Sequence, residues 1–245
     1  MRYLVLTDQH GNIHALDAVL ADAKTVGYDK VLVLGDLVGY GADPAAVIER
    51  TIALNPDAIV RGNHDKVAAG LEPASLFNEV ARRSIEWTAS VLSPAELKYL
   101  AELPKGPKLV SPAVEICHGT PFDEDHYVFD AGDAARAIQA ASAPICLFGH
   151  THVPVVFASS ARPEPGRADL ADDEIELPAT GSALINVGSV GQPRDGDSRA
   201  AYGVLDLERR TILLRRVTYD ISAAQARILA EGLPHWLAQR LGRGQ

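Results

Sequence analysis

The stretch "RYLVLTDQHGNIHALDAVLADAKTVGYDKVLVLGD", residues 2–36, decides the fold class. "RYLVL" has the apolar run of a buried strand. "IHALDAVLADAKTVG" carries apolar residues at helical spacing and closes at Gly27, and "KVLVLGD" is a second buried strand. Working outward, "DPAAVIERTIALN" reads as a helix with Asp43 as its cap and Pro44 at its first position, and "DAIVRGN" as a third strand. Strand, helix, strand, helix, strand in that order predicts a parallel sheet with helices on its faces.

The pattern continues through helical periodicity over Leu76–Leu103, with Ser93-Pro94 opening a second helix there. "VEICHG" and "PICLFGH" return to strand around the helix "AGDAARAIQAA". "PVVFAS", "ALINVGS", "AAYGVLDL" and "TILLRRVTYD" are short strand-like runs with turn residues between them, which predicts an antiparallel portion. A terminal helix is expected from about Ser222 to Leu241. Residues 160–181, rich in Pro, Gly and acids, read as a long hairpin connection or surface insertion rather than a domain boundary. The expectation is one domain over residues 1–245, with the helical segment 75–103 and the 160–181 insertion as elaborations.

Composition excludes several classes. The 245 residues are 47% hydrophobic and 22% charged, as in ordinary globular proteins, and the net charge of −9 argues against a nucleic-acid partner. A small anionic substrate is still compatible, because bound cations reverse the local potential. Cys117 and Cys146 sit in apolar runs and read as buried reduced thiols, not a disulfide framework. No apolar run is long enough to span a bilayer, and "MRYLVLTD" reads as a first strand rather than a signal peptide. A cytoplasmic protein is expected, and the sequence sets no oligomeric state.

The polar residues are not scattered. The first strand ends in "TDQHGN" with Asp8 and His10, the second in "GDLVGYG" with Asp36, and the third in "RGNHD" with Asn63, His64 and Asp65. Later strands end in "CHGTP" with His118 and in "GHTH" with His150 and His152. In an open α/β sheet the carboxyl ends of the strands line one crevice, so these ends converge. If the strand pleat continued, the i, i+2 pairs Asp8/His10 and His150/His152 would share a face. Imidazoles, carboxylates and an amide oxygen without a thiolate cluster suit Mn²⁺, with Fe or Zn²⁺ as alternatives. There are more ligands than one ion needs, so a two-metal site with a bridging carboxylate is the economical arrangement.

These blocks resemble the calcineurin-like metallophosphoesterase superfamily: Asp8-Gln9-His10, Gly35-Asp36, Gly62-Asn63-His64-Asp65, His118, and Gly149-His150-Thr151-His152. The resemblance implies two packed mixed β-sheets flanked by helices, a four-layer αββα sandwich. It also implies that Asp8, His10 and His152 hold one metal, that Asn63, His118 and His150 hold the other, and that Asp36 bridges them. His64 would stay off the metals and act on the substrate with a near-neutral pKa. The implied reaction is metal-dependent phosphoester hydrolysis, with the cations activating water and offsetting phosphoryl charge.

The second block departs from the G-D-x-x-D-R-G of protein phosphatases and symmetrical diadenosine tetraphosphatases. Gly39 and Tyr40 stand where an Asp and a phosphate-clamping Arg would be. "HGTPFDEDHYVF" and "NVGSVGQPRDGDSRAAYGVLD" instead resemble YfcE-like phosphodiesterases and asymmetrical diadenosine tetraphosphatases. Arg194, and with it Arg61 and Asn63, are candidate contacts to substrate phosphate, whereas Asp123–Asp125 and His126 read as a solvated loop, with part of a lid as the alternative. The expected substrate is a small phosphodiester or phosphoanhydride, a dinucleoside polyphosphate among them. Phosphomonoester hydrolysis, a nuclease of the same superfamily and a non-catalytic scaffold are the alternatives.

Overall fold

The computed structural model describes residues 1–158 and 172–245. Three parallel strands, β1 (Arg2–Leu6), β2 (Lys30–Val33) and β3 (Ala58–Ile59), alternate with α1 (Ile13–Val26) and α2 (Pro44–Ala53). Helix α1 ends where the sequence signals it: Gly27 lies at φ 81° and its N–H donates to Ala23 O. Asp43 does occupy the N-cap of α2, but its side chain makes no capping bond and instead accepts from Arg227 Nε at 3.0 Å.

Next come α3 (Asn63–Ala68), α4 (Glu79–Val91) and α5 (Pro94–Glu102), the last opened by a capping box between Ser93 and Glu96. A second sheet then forms from β4 (Lys108–Ser111), β5 (Val114–Ile116), β6 (Ile145–Phe148) and β7 (Val155–Ala158), with α6 (Ala131–Ala140) between β5 and β6. The chain finishes with β8 (Glu174–Glu176), β9 (Ala183–Asn186), β10 (Ala200–Asp206), β11 (Thr211–Val217), α7 (Ile221–Ala230) and α8 (His235–Leu241).

The strand orders are β3-β2-β1-β10-β11-β8 and β4-β5-β6-β9-β7. Both sheets are mixed. The antiparallel tail is only partly as expected, because β9 runs parallel to β6 and antiparallel to β7. The 160–181 segment joins β7 to β9, which pair antiparallel with Ala158 opposite Ala183, as a long hairpin connection requires, while β8 within it pairs with β11 at the edge of the other sheet. Residues 160–171 of that segment lie outside the described residues. The expected terminal helix is two helices. Gly232 takes φ 67° and Pro234, with no N–H to donate, caps α8, so the helical ladder cannot run through.

Strand alternation explains the layers. Tyr3 and Val5 point into the core between the sheets with Leu32, Ile116, Leu147 and Ile185. Leu4 and Leu6 point the other way, against Leu16, Val19 and Ile48 of the outer helices. On the far side, Cys146, Phe148 and Leu184 pack on Ala134 and Ala137 of α6. The result is the αββα sandwich that the family resemblance implied.

Candidate metal centre

The carboxyl ends of β1 and β2, the start of α3 and the ends of β5 and β6 meet in one buried crevice. Asp8, His10, Asp36 and His152 form one group that could hold a metal ion, and Asp36, His118 and His150 form another. Asp36 belongs to both. Its Oδ2 lies 3.4 Å from His10 Nε2 and 3.4 Å from His118 Nε2, while its Oδ1 is occupied by the His64 amide at 2.9 Å. Asn63 adds an oxygen to the second group, with Oδ1 3.2 Å from His118 Nε2.

Convergence does not come from strand alternation, as the sequence suggested. Asp8, His10, Asp36, His150 and His152 all lie beyond their strands at positive φ, between 46° and 68°. For residues other than glycine this costs on the order of 1 kcal/mol each. Interlocking loops hold the conformation: Asp8 N donates to Gly35 O at 3.1 Å, His10 N to Asp36 O at 2.9 Å, and Gly149 N to His118 O at 2.8 Å. Gly62 is required here, since a Cβ on it would come 2.1 Å from Asp36 Oδ1.

The rings are fixed from behind. His10 Nδ1 meets Val38 O at 3.0 Å, His152 Nδ1 meets Gln192 O at 2.6 Å, and His118 Nδ1 meets Leu34 O at 2.8 Å. His150 does the same through Nε2, 3.1 Å from Asp125 O. A carbonyl only accepts, so each of these nitrogens carries the proton and the other ring nitrogen of a neutral imidazole is a lone pair. Those lone pairs face one another: His10 Nε2 and His152 Nε2 are 3.1 Å apart, as are His118 Nε2 and His150 Nδ1. With all four rings neutral, two acceptors at that distance cannot satisfy each other. A cation between them satisfies both, so the residues fit divalent metals of the kind this donor set prefers.

Electrostatics agree with that reading. Burial pushes His10, His150 and His152 well below the usual histidine value, keeping them neutral. Burial opposes charge on His118 as well, but the carboxylates of Asp36 and Asp8 outweigh it and raise its pKa to about 10, so without a metal His118 Nε2 holds a proton where a cation would otherwise sit. Positive charge is wanted between these carboxylates.

His64 lies off both groups. Its ring packs 4.4 Å from Tyr40 and 4.6 Å from Phe77, and its buried Nδ1 has no partner. A Cβ on Gly39 would come 2.2 Å from that nitrogen, so glycine at 39 makes room for the ring. Burial lowers its pKa to about 4, so the near-neutral value expected for His64 is not found in the free protein. Asp65 is turned to the backbone, accepting from Leu37 N and Gly62 N at 2.9 Å each.

Arg194 reaches the crevice: its N–H meets His152 O at 3.3 Å and its Nη2 lies 3.2 Å from Gln192 Oε1. Arg61 does not show the free guanidinium expected of a phosphate contact. Both sides of its fork donate to Glu124, at 3.1 and 3.0 Å. The 123–126 loop is correspondingly not a plain solvated loop, because Glu124 is buried and Asp125 O orients His150. Lys66 and Arg240 were not singled out from sequence, and Tyr40, Glu124 and Asp125 were named there without a place in the site. The only hint for Lys66 and the loop was their position directly after the "GNHD" and "HGTP" blocks.

Comparison with known proteins is consistent along the whole chain. Residues 1–210 match the calcineurin-like phosphoesterase superfamily domain. The chain is 36% identical to the uncharacterized protein MJ0912 of Methanocaldococcus jannaschii, over 98% of this chain and 97% of that protein. The crystal structure of a metallophosphoesterase from Sphaerobacter thermophilus superposes with a TM-score of 0.90 at 35% identity, covering 100% of this chain and 99% of the other. A hypothetical protein from Pyrococcus horikoshii shares the fold, with a TM-score of 0.80 at 20% identity over 100% and 98% of the two chains. Among the described residues no helix is long and apolar enough to cross a membrane. With relatives matching end to end and a site built of metal-competent side chains, this chain is a metallophosphoesterase of the calcineurin-like phosphoesterase superfamily.

Proposed function

We propose that the protein is a two-metal phosphohydrolase that cleaves phosphodiester or phosphoanhydride bonds of small substrates, dinucleoside polyphosphates among them. The observation that carries this reading is the pair of facing imidazole lone pairs on either side of Asp36 Oδ2. Asp8, His10, Asp36 and His152 hold the first metal, and Asp36, Asn63, His118 and His150 the second. Mn²⁺ is the preferred ion, with Fe or Zn²⁺ as alternatives. In this reading residues 1–245 act as one domain, since β10 and β11 complete the sheet begun by β1. The free thiols Cys117 and Cys146, 3.7 Å apart, support a reducing, cytoplasmic setting.

When bound, the two divalent ions supply charge neutralisation at the phosphoryl oxygens and a nucleophile from water. The remaining work falls to side chains. Asp36 keeps the two ligand sets in register through one oxygen, and burial of every ligand but Asn63 limits the access of bulk water. His64, neutral in the free protein, donates a hydrogen bond to a phosphoryl or leaving-group oxygen. Its proton affinity rises when a phosphate dianion sits beside it. Arg194 orients the substrate phosphate, a role for which Arg61 is less suited while paired with Glu124.

The test is to incubate Mn²⁺-loaded protein with bis-p-nitrophenyl phosphate and, separately, with diadenosine tetraphosphate. Release of p-nitrophenol, or of ATP plus AMP, is expected. ADP as the sole nucleotide product would overturn the asymmetrical reading. No hydrolysis of either compound would leave the family's scaffold role as the better account.

A further inference from the structure

Arg240 lies on α8, far along the chain from every motif, yet its guanidinium carbon stands 5.8 Å from the centre of the Tyr40 ring. Arg194 stands 5.7 Å from the same ring and reaches the Tyr40 hydroxyl with Nη2 at 3.5 Å. Tyr40 in turn contacts the His10 and His64 rings at 4.7 and 4.4 Å. Two guanidinium groups therefore flank one aromatic ring at the edge of the candidate metal centre.

Neither arginine pairs with an Asp or Glu side chain among the described residues. Arg194 uses Gln192 and Tyr40, and its buried Nε has no partner. Arg240 donates only from Nε, to the main-chain oxygen of Gln245. Several other partly buried arginines of this acidic chain are paired: Arg215 with Asp22 at 3.1 Å, Arg227 with Asp43 at 3.0 Å, and Arg61 with Glu124 at 3.0 Å. In a chain of net charge −9, Arg194 has no acidic partner among the described residues and Arg240 only the main-chain oxygen of Gln245, the last residue, so two half-buried and mutually repelling guanidinium groups call for an anion from outside. Burial and the neighbouring Arg194 depress Arg240 to about 10, so a nearby anion would favour its charged form.

We propose that Arg194 and Arg240, with the Tyr40 hydroxyl, form a subsite for a second phosphate of the substrate, next to the phosphoryl group held at the metals. This rests on the two-metal reading and narrows it: the favoured substrate class is one with adjacent phosphates, a phosphoanhydride rather than a simple diester. It also accounts for Tyr40 at the position where relatives of other branches place an arginine. The positive charge comes from elsewhere in the chain and is aligned by the tyrosine ring, since guanidinium groups pack well on aromatic faces.

The experiment compares methylenediphosphonate with methylphosphonate as ligands of the Mn²⁺-loaded protein. Calorimetry reads direct binding, and competition against bis-p-nitrophenyl phosphate reads occupancy of the same site. The parent should bind the diphosphonate at least about tenfold more tightly than the monophosphonate, the scale of one lost charge-assisted contact. In Arg240→Gln that preference should shrink to a few-fold, and Arg240→Lys should restore part of it. Orthophosphate added with methylphosphonate serves as a separate arm. If the two together reproduce the diphosphonate's affinity, the subsite takes free phosphate and the proposal of a bridged second phosphate is overturned. An unchanged preference in Arg240→Gln, or no preference in the parent, also overturns it while leaving the metal centre intact. A parent that binds neither phosphonate and hydrolyses nothing overturns both this proposal and the reading beneath it.

Discussion

His10 and His152 face each other with their Nε2 atoms 3.1 Å apart, and each ring hands its other N–H to a carbonyl, Val38 O and Gln192 O. Two lone pairs are thereby forced together in a buried space. The arrangement is costly without a cation and favourable with one. Metal should therefore stabilise the protein strongly. At a free Mn²⁺ concentration a hundred times the dissociation constant, one site contributes about 2.7 kcal/mol. For a chain of this size that raises Tm by roughly 5–10 °C. Thermal unfolding after exhaustive chelation and after refilling checks this, and equal melting temperatures would count against a metal centre.

Asp36 Oδ2 stands equidistant from the two ligand sets. Replacing it with Asn removes the shared negative charge but keeps the shape. Asp36→Asn should therefore lose metal and activity together, by more than the ~10–100-fold that changes behind the direct ligands cause. Metal analysis alongside turnover decides it. A fully active, metal-replete variant would remove Asp36 from the bridging position.

The His64 side chain belongs to neither group that could hold a metal, and its amide bond to Asp36 survives substitution, so His64→Ala should keep its metal content while turnover falls by about 10²–10⁴. The same variant has a pH signature in the metal-free protein. Folded His64 takes its proton only near pH 4, whereas an unfolded histidine takes it near 6.5. Between those values the unfolded chain binds more protons, so stability falls on acidification from about 6.5 to 4. Removing His64 should flatten that fall by up to about 1.4 kcal/mol per pH unit. Urea titrations across this window measure the slope, and identical slopes would mean that His64 is not buried as a neutral ring.

Much of the site was legible because Asp8, Asp36, His118 and His150 follow apolar strand runs closely, and buried strands end where polar residues and glycine begin. What the sequence could not give was the backbone that makes them converge. Left-handed conformations at Asp8, His10, Asp36, His150 and His152 violate local preference and are imposed by hydrogen bonds between loops distant in sequence. The break at Gly232–Pro234 was written in the residues, but helical periodicity on both sides masked it. Arg240 was invisible because nothing local marks it: its role depends on where α8 packs, which is a tertiary fact. Nothing local marks Lys66 either, yet it is 1% exposed.

That burial of Lys66 leads to a separate expectation. Its ammonium sits among Glu72 at 3.0 Å, Glu124 at 3.3 Å and Asp125. Asp125 also supplies the carbonyl that orients His150, and the Tyr127 ring stacks on His150 at 3.7 Å. The other three histidines are oriented by Val38, Gln192 and Leu34, all within the fold's interior, whereas His150 depends on a partly exposed loop tied down by Lys66 and Arg61. Lys66→Met should free that loop and weaken the second metal position by about 10–100-fold, leaving the Asp8–His10–Asp36–His152 group nearly unchanged. Calorimetric Mn²⁺ titration would then show one tight and one weakened equivalent, and electron paramagnetic resonance would show isolated rather than coupled manganese at limiting metal. Lys66→Arg, which keeps the charge, should recover most of the second equivalent. If Lys66→Met binds both equivalents as the parent does, the loop does not govern the second position. If both equivalents weaken together with a lower Tm, Lys66 supports the fold as a whole rather than His150.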